Sequence, residues 1–241
     1  MCTDNCGMDL SKRKLLKYST GIAALSIVGS TLSITYAASL TKEERDNMSP
    51  NDVVNSLIDG NKRFISNKPL NHDYRAQKKS SQHGQYPSAV ILSCIDSRAP
   101  AEIILDTGIG ELFNSRVAGN ISNDDILGSM EFACAAAGAK VVFVMGHTKC
   151  GAVKGAIANV ELGNLTGLLD KIKPAIKKTT FAGDRTAENY DFVDAVAKTN
   201  VLLVINDIRE NSATLKKLED EGKIKIVGAM YDISNGKVSL I

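Results

Sequence analysis

The sequence predicts an α/β domain: a mostly parallel central β-sheet with helices on its faces. Three observations predict it. Ala89–Ser93 (AVILS) and Lys140–Met145 (KVVFVM) are continuous apolar runs of strand length, the pattern of strands buried on both faces. Stripes of apolar residues at helical spacing lie between and after them, and strands alternating with helices imply parallel neighbours. Near the C-terminus Ser234-Asn235-Gly236 separates Ile224–Tyr231 from Lys237–Ile241; an Asn-Gly pair between apolar runs signals a hairpin, so the last two strands run antiparallel. A chain of 241 residues, 44% hydrophobic and 23% charged, suffices for one sizeable domain. It has no tryptophan, so the core rests on Val, Ile, Leu and Ala.

Residues 1–37 read as an export signal. Ser11–Lys17 (SKRKLLK) is basic, Gly21–Ile34 is mildly apolar, and Thr35-Tyr36-Ala37 sets small residues at −3 and −1 of a cut before Ala38. The apolar run is shorter than the ~20 residues a spanning helix needs, which argues against an uncleaved anchor. SKRKLLK resembles the twin-arginine motif with Lys12 in place of the first arginine; the general secretory route stays open. Cys2 and Cys6 precede the apolar run and leave with the signal. The expected product is a periplasmic or secreted single domain, 38–241, with no stable membrane span. Its cysteines are Cys94, Cys134 and Cys150. An odd number in an exported protein argues against a disulfide framework, and a metal would protect such thiols. The formal charge of +2 resides in the first 37 residues and the remainder is neutral, so nothing in the charge suggests a nucleic-acid or anionic-membrane partner, and none is expected.

Within the domain, Ser49-Pro50-Asn51-Asp52 opens a helix: Ser as N-cap, Pro in the first turn, Asp at the positive end of the dipole. Val53, Val54, Leu57, Ile58, Phe64 and Ile65 continue it at helical spacing. Residues 67–85 are polar and read as an irregular arm with room for one short helix. After the 89–93 strand come a short helix at Ala101–Leu105 and a strand at Leu112-Phe113. Asp124-Asp125 opens a helix with Ile126, Leu127, Met130, Ala133, Cys134 and Ala137 on its apolar face, and Gly138 ends it. A helix starts at Gly151–Ile157 after the 140–145 strand. A polar middle holds Pro174 and Gly183. Val193, Val196, Ala197, Val204, Ile205 and Ile208 then mark a long helix, and Ser212–Glu221 a shorter one capped by Ser212 and stopped by Gly222.

Both buried strands end in reactive residues. The first is followed by Cys94, Asp96 and Arg98; the second by Gly146, His147, Cys150 and Gly151. In an open parallel sheet, ligands bind beyond the carboxyl ends of the strands. Two thiolates and an imidazole suit Zn²⁺. His147 and Cys150, three apart at the start of a helix, can converge on one point, and Cys94 closes the triangle. Three protein ligands leave one tetrahedral position open, the mark of a catalytic zinc; the alternative is a structural zinc or buried thiols. Asp96 is the one nearby candidate for a fourth ligand. Arg98 is spaced to pair with it, drawing it off the metal while keeping it ionised, so that it can orient zinc-bound hydroxide. Cys134 reads as core, His72 and His83 as surface residues, Asp124-Asp125 as helix capping, and Arg116 as a partner for a carboxylate.

Cys-x-Asp-x-Arg at one strand end and Gly-His-x-x-Cys-Gly at the other resemble the β-class carbonic anhydrases. The resemblance covers most of 50–241 and includes DGNKRF (59–64), GELFNSRVAGN (110–120), VVFVMGHTKCGAV and GAMYDISNGKVSL. It implies Cys94, His147 and Cys150 as ligands of one zinc and Asp96–Arg98 as the catalytic dyad. It also implies that Gln85, in GQYP, hydrogen-bonds substrate across a dimer, and that the Gly151 N–H helps to hold bicarbonate. The family is dimeric or higher, with N-terminal helices embracing the partner, which gives the 67–85 arm a place. Some members carry a tryptophan for a second bicarbonate site where this chain has Ile91; Arg116 is present, and the departure favours Asp96 off the metal at neutral pH. The implied reaction is reversible hydration of CO₂ to bicarbonate and a proton by attack of zinc-bound hydroxide. Two other readings compete: a zinc hydrolase of carbon disulfide or carbonyl sulfide on the same fold, and a non-catalytic zinc-binding module closed by Asp96.

Overall fold

The computed structural model describes residues 35–241. The basic and apolar parts of the proposed signal lie outside the described residues; Thr35–Ala37, at the candidate cut, lie within them.

Five strands form the main sheet: β1 (Ala89–Ser93), β2 (Leu112–Arg116), β3 (Val141–His147), β4 (Lys225–Tyr231) and β5 (Val238–Leu240). Their order is β2-β1-β3-β4-β5. All neighbours are parallel except the β4/β5 pair, which is antiparallel. Every residue of β1 and β3 is buried, as their unbroken apolar runs require, and alternate residues face opposite sides. Val90, Leu92, Val142 and Val144 pack with Met130, Val201 and Ile208 on one face. Ile91, Phe143 and Met145 pack with Val53, Leu57 and Ile104 on the other.

Ten helices are described: α1 (Lys42–Asn47), α2 (Pro50–Ile65), α3 (Tyr74–Ser80), α4 (Ala101–Ile104), α5 (Asp124–Glu131), α6 (Gly151–Ile157), α7 (Gly163–Asp170), α8 (Lys173–Lys178), α9 (Tyr190–Asn211) and α10 (Ala213–Asp220). Ser49 caps α2 in a reciprocal box with Asp52. Asn123, one residue before the expected start, caps α5 through the Ile126 N–H. The turn after α5, Phe132–Ala136, widens to π-helical form and ends at Gly138. A Cβ at Gly138 would fall 2.5 Å from the Arg45 guanidinium, which donates to the Ala137 carbonyl.

One stretch left unassigned gains structure, and one expectation is corrected. The polar middle contains α7 and α8, short helices held by the buried Leu169, Ile172 and Ala175 rather than by their own propensity. His72 is no surface residue: its side chain is 4% exposed, stacks on Tyr74 and sits 3.3 Å from the buried Asp106. His83 is exposed, as expected. The arm around α3 is tied to its own chain by Gln77. That side chain is fully buried, donates to the Tyr36 carbonyl and accepts from the Ile109 N–H, both at 3.0 Å. Thr35–Tyr36 pair in parallel with Asn71–His72. No helix among the described residues is long and apolar enough to cross a membrane.

Strand order places the functional crevice. From β1 the chain winds to β2 on one side and then to β3 on the other. The carboxyl ends of β1 and β3 therefore flank a point where the winding reverses, the place where such sheets bind ligands.

Candidate metal centre

Cys94 follows the last residue of β1, and His147 is the last residue of β3. Ser93 pairs with Met145 across these strands, so the two functional side chains leave adjacent strand ends. This corrects the placement of His147 at a helix start. A tight turn at Thr148-Lys149, with Lys149 at φ 55°, redirects the chain so that Cys150 stands at the N-cap position of α6, its sulfur close to His147. Three hydrogen bonds fix that turn: Thr148 N–H to the Tyr231 carbonyl, Ile233 N–H to Thr148 Oγ1, and Lys149 N–H to the Asp194 carboxylate. Burial holds the Asp194 carboxyl above its ordinary pKa.

Cys94, His147 and Cys150 are all buried, and their ligand atoms lie within 4.8 Å of one another. The two sulfurs are 4.0 Å apart; sulfurs about 2.3 Å from one tetrahedral ion would stand about 3.8 Å apart. The His147 Nδ1 lies 2.9 Å from the Thr148 carbonyl. A proton on Nδ1 makes that bond and leaves the Nε2 lone pair facing the sulfurs. Nε2 is buried and has no hydrogen-bond partner among the described residues, a costly arrangement unless a cation takes the lone pair.

The sulfurs point the same way. The contact with Cys150 lowers the pKa of the Cys94 thiol, against its burial and with help from the Gly119 N–H. Cys150, which keeps the proton, is pushed upward by that same contact and by burial. The two sulfurs face one another in an apolar pocket of Val153, Ile172, Phe192 and Val196, where two thiolates together need a cation. For His147, burial disfavours the charged ring but the anionic Cys94 outweighs it, so the net shift is upward. This donor set fits zinc. Cys134 stands apart on the core face, its thiol raised to about 12 by burial, consistent with a packing role. Among the described residues the cysteines are free.

Asp96 faces the cluster without joining it. Its carboxylate accepts from Arg98 Nε at 3.0 Å, from Arg98 Nη2 at 2.8 Å and from the Arg98 backbone N–H at 2.9 Å. The Arg98 guanidinium brings the carboxyl down to about 2, so it is ionised throughout the neutral range. Its Oδ2 lies 3.9 Å from His147 Nε2. Gly151 opens α6, where first-turn N–H groups have no intrahelical acceptor. Gln85 is exposed in the loop before β1 and is not brought to the cluster by its own chain.

Arg116 corrects another expectation. Among the described residues it pairs with no carboxylate but donates to two carbonyls, those of Cys94 at 2.9 Å and Asp96 at 2.6 Å. It thereby braces the loop carrying a ligand and the carboxylate. Asp194, Gly119 and Arg116 were not assigned these roles from sequence; only Arg116 and Gly119 lie in a quoted motif, GELFNSRVAGN.

The family model for carbonic anhydrase matches residues 89–238. Carbonic anhydrase 2 of Mycobacterium tuberculosis is 30% identical over 200 residues, covering 80% of this chain and 94% of that protein. The carbonic anhydrase of Mycolicibacterium smegmatis gives the same figures. Among solved structures, the β-carbonic anhydrase CafA of Aspergillus fumigatus superposes with a TM-score of 0.61 at 25% identity, over 79% of this chain and 91% of that one. Two tetrameric β-carbonic anhydrases of Sordaria macrospora share the fold, with a TM-score of 0.59 at 22% identity over 79% of this chain and 97% of theirs. The family match runs from the first strand of the sheet to the start of the last, and with the mycobacterial identities it establishes that this chain belongs to the β-class carbonic anhydrases.

Proposed function

We propose that Cys94, His147 and Cys150 hold one Zn²⁺, with which this carbonic anhydrase hydrates CO₂ reversibly to bicarbonate and a proton. The observation that carries the residue assignment is the buried triangle of ligand atoms, all within 4.8 Å, at the point where the sheet's winding reverses. Bound zinc supplies Lewis-acid activation of water near neutral pH. The chain supplies the rest. Arg98 holds Asp96 ionised and turned towards the metal position, where its free lone pairs accept a hydrogen bond and orient the nucleophile. That pairing also keeps Asp96 off the metal, leaving one coordination position open. The Gly151 N–H, at the positive end of α6, donates to a bicarbonate oxygen. The apolar wall of Val153, Phe192 and Val196 keeps competing water from the sulfurs.

Stopped-flow CO₂ hydration near pH 8 tests this. The zinc-loaded chain should reach a kcat/KM of about 10⁴–10⁸ M⁻¹s⁻¹. One zinc per chain with hydration at the buffer's own rate would overturn it; turnover of carbonyl sulfide or carbon disulfide in its place would move the reading to those substrates.

The working unit we propose is a homodimer or a higher multiple. β2 is one of the two edge strands of the sheet, and exposed edges pair readily. Beside it Ile103 is 61% exposed, and Ile109 and Tyr74 are also exposed around a groove of about 650 Å³. Gln85, exposed on its own chain, would then reach the partner's site. Sedimentation of active protein should give at least two chains. Ile103→Glu should shift it towards one chain with zinc retained; a fully active single chain would sink the proposal.

Residues 1–37 we propose to be a removable leader, leaving 38–241 in the periplasm or outside the cell. A cut before Ala38 takes away the Tyr36 carbonyl that accepts from Asp73 N–H and Gln77 Nε2, while the bonds from Ser39 to the Gln77 and Ile109 carbonyls remain. Intact mass of the exported protein should begin at Ala38. Recovery of the uncut chain from the cytoplasm alone would refute export.

A further inference from the structure

Asn200 is 2% exposed on α9, flanked along the core stripe by Val196, Ala197, Val201 and Val204. A polar side chain there must find a partner. Its Nδ2 donates to the Gly119 carbonyl at 2.9 Å. The Gly119 N–H in turn points at Cys94 Sγ, 3.3 Å away. The segment between is tightly fixed. Val117 N–H bonds to the Ser93 carbonyl and Asn120 N–H to the Val117 carbonyl. Gly119 itself is at φ 69°, and a Cβ on it would lie 2.6 Å from Ile172 Cδ1. The left-handed backbone favours glycine and a side chain here would press on Ile172, and the turn's orientation is fixed at one end by β1 and at the other by Asn200.

We infer that Asn200 is a positioning residue for the metal centre: it anchors the Gly119 carbonyl so that the Gly119 N–H stays aimed at Cys94 Sγ and moderates that sulfur's electron donation to the metal. The N–H and C=O of Gly119 belong to different peptide planes, so Asn200 acts by geometry and not by polarising the donor. An N–H donated to a thiolate draws charge from sulfur. Losing it makes Cys94 a stronger donor, and the metal a weaker acid. The inference rests on the assignment of Cys94 as a ligand.

The test loads the protein with the spin-half cadmium isotope and, separately, with Co²⁺. In the wild type, cadmium should show scalar coupling to the Gly119 amide proton through the Cys94 sulfur. In Asn200→Leu and in the near-isosteric Asn200→Asp that coupling should vanish and the sulfur-to-cobalt charge-transfer band should shift to lower energy. In the zinc form kcat should fall about 10-fold. Val204→Ala, a core change on the same helix, controls for destabilisation and should leave both spectra unchanged. Coupling absent from the wild type, or spectra unchanged in both Asn200 variants, overturns the inference. If neither variant folds, the wild-type coupling still decides whether the Gly119 N–H reaches a metal-bound sulfur, and its absence refutes the proposal. A cadmium resonance without a cysteine signature would instead refute the ligand assignment.

Discussion

Cys150→Ser is expected to empty the site and abolish hydration together. A structural zinc site binds with about 10–16 kcal/mol of apparent free energy. Losing one thiolate of the three protein ligands removes on the order of 4 kcal/mol, roughly a thousandfold in affinity, since a serine hydroxyl does not ionise near neutrality. Buried beside Cys94 in an apolar pocket, it also becomes a polar group without a good partner. Zinc measured after dialysis against a mild chelator should fall from one per chain to near zero, and hydration to the uncatalysed rate. Cys134→Ser is the control. Cys134 is 5% exposed in the core and remote from the ligand triangle. Its replacement should cost about 1–3 kcal/mol of stability for the buried hydroxyl and leave zinc content and kcat intact. A Cys150→Ser protein that keeps its zinc and activity would remove the basis for the centre.

Asp96→Asn should separate binding from chemistry. The amide fills the same space but carries no charge and offers one acceptor in place of two oxygens, while Arg98 loses its ionic partner. Zinc content should be unchanged, and kcat should fall about 10²–10⁴-fold, the range for losing a positioned proton acceptor. The wild-type pH profile carries a related expectation. Asp96 has its pKa lowered from 3.8 to about 2 by Arg98. The stability of this pair is therefore complete above about 3.8 and fades only as pH falls through about 2. Asp96 remains ionised at every pH used for assay, so the acid limb of the profile belongs to other groups. Asp96→Asn with wild-type kcat would show that the carboxylate has no part in turnover.

The sheet was legible because β1 and β3 are buried on both faces, and full burial writes itself as an unbroken apolar run. The ligands were legible because they follow those runs directly. What escaped depends on contacts across the chain. Little local marks α7, where Gly163 and Gly167 depress propensity; Pro174 in the first turn of α8 is a start signal, but one too weak to hold a six-residue helix without Leu169 and Ile172 packing under the site. His72 reads as an arm residue until Asp106, 34 positions on, is placed 3.3 Å from it. Arg116 offers a charge whose obvious partner is a carboxylate; only the parallel pairing of β2 with β1 brings it to the carbonyls of Cys94 and Asp96. Asn200 was hidden inside an apolar stripe and gains meaning from a glycine 81 residues earlier.

The two sulfurs, 56 residues apart in sequence, meet only where β1 lies against β3. An ion that joins them therefore closes a long loop, much as a disulfide would, and restricts the unfolded chain accordingly. It also cannot be captured early. Parallel pairing of distant strands forms late because its closure entropy comes first, so the ligand triangle does not exist until the sheet does. Metal capture is thus the closing latch of assembly. Zinc can therefore be taken up only once the chain has folded, never by the nascent chain.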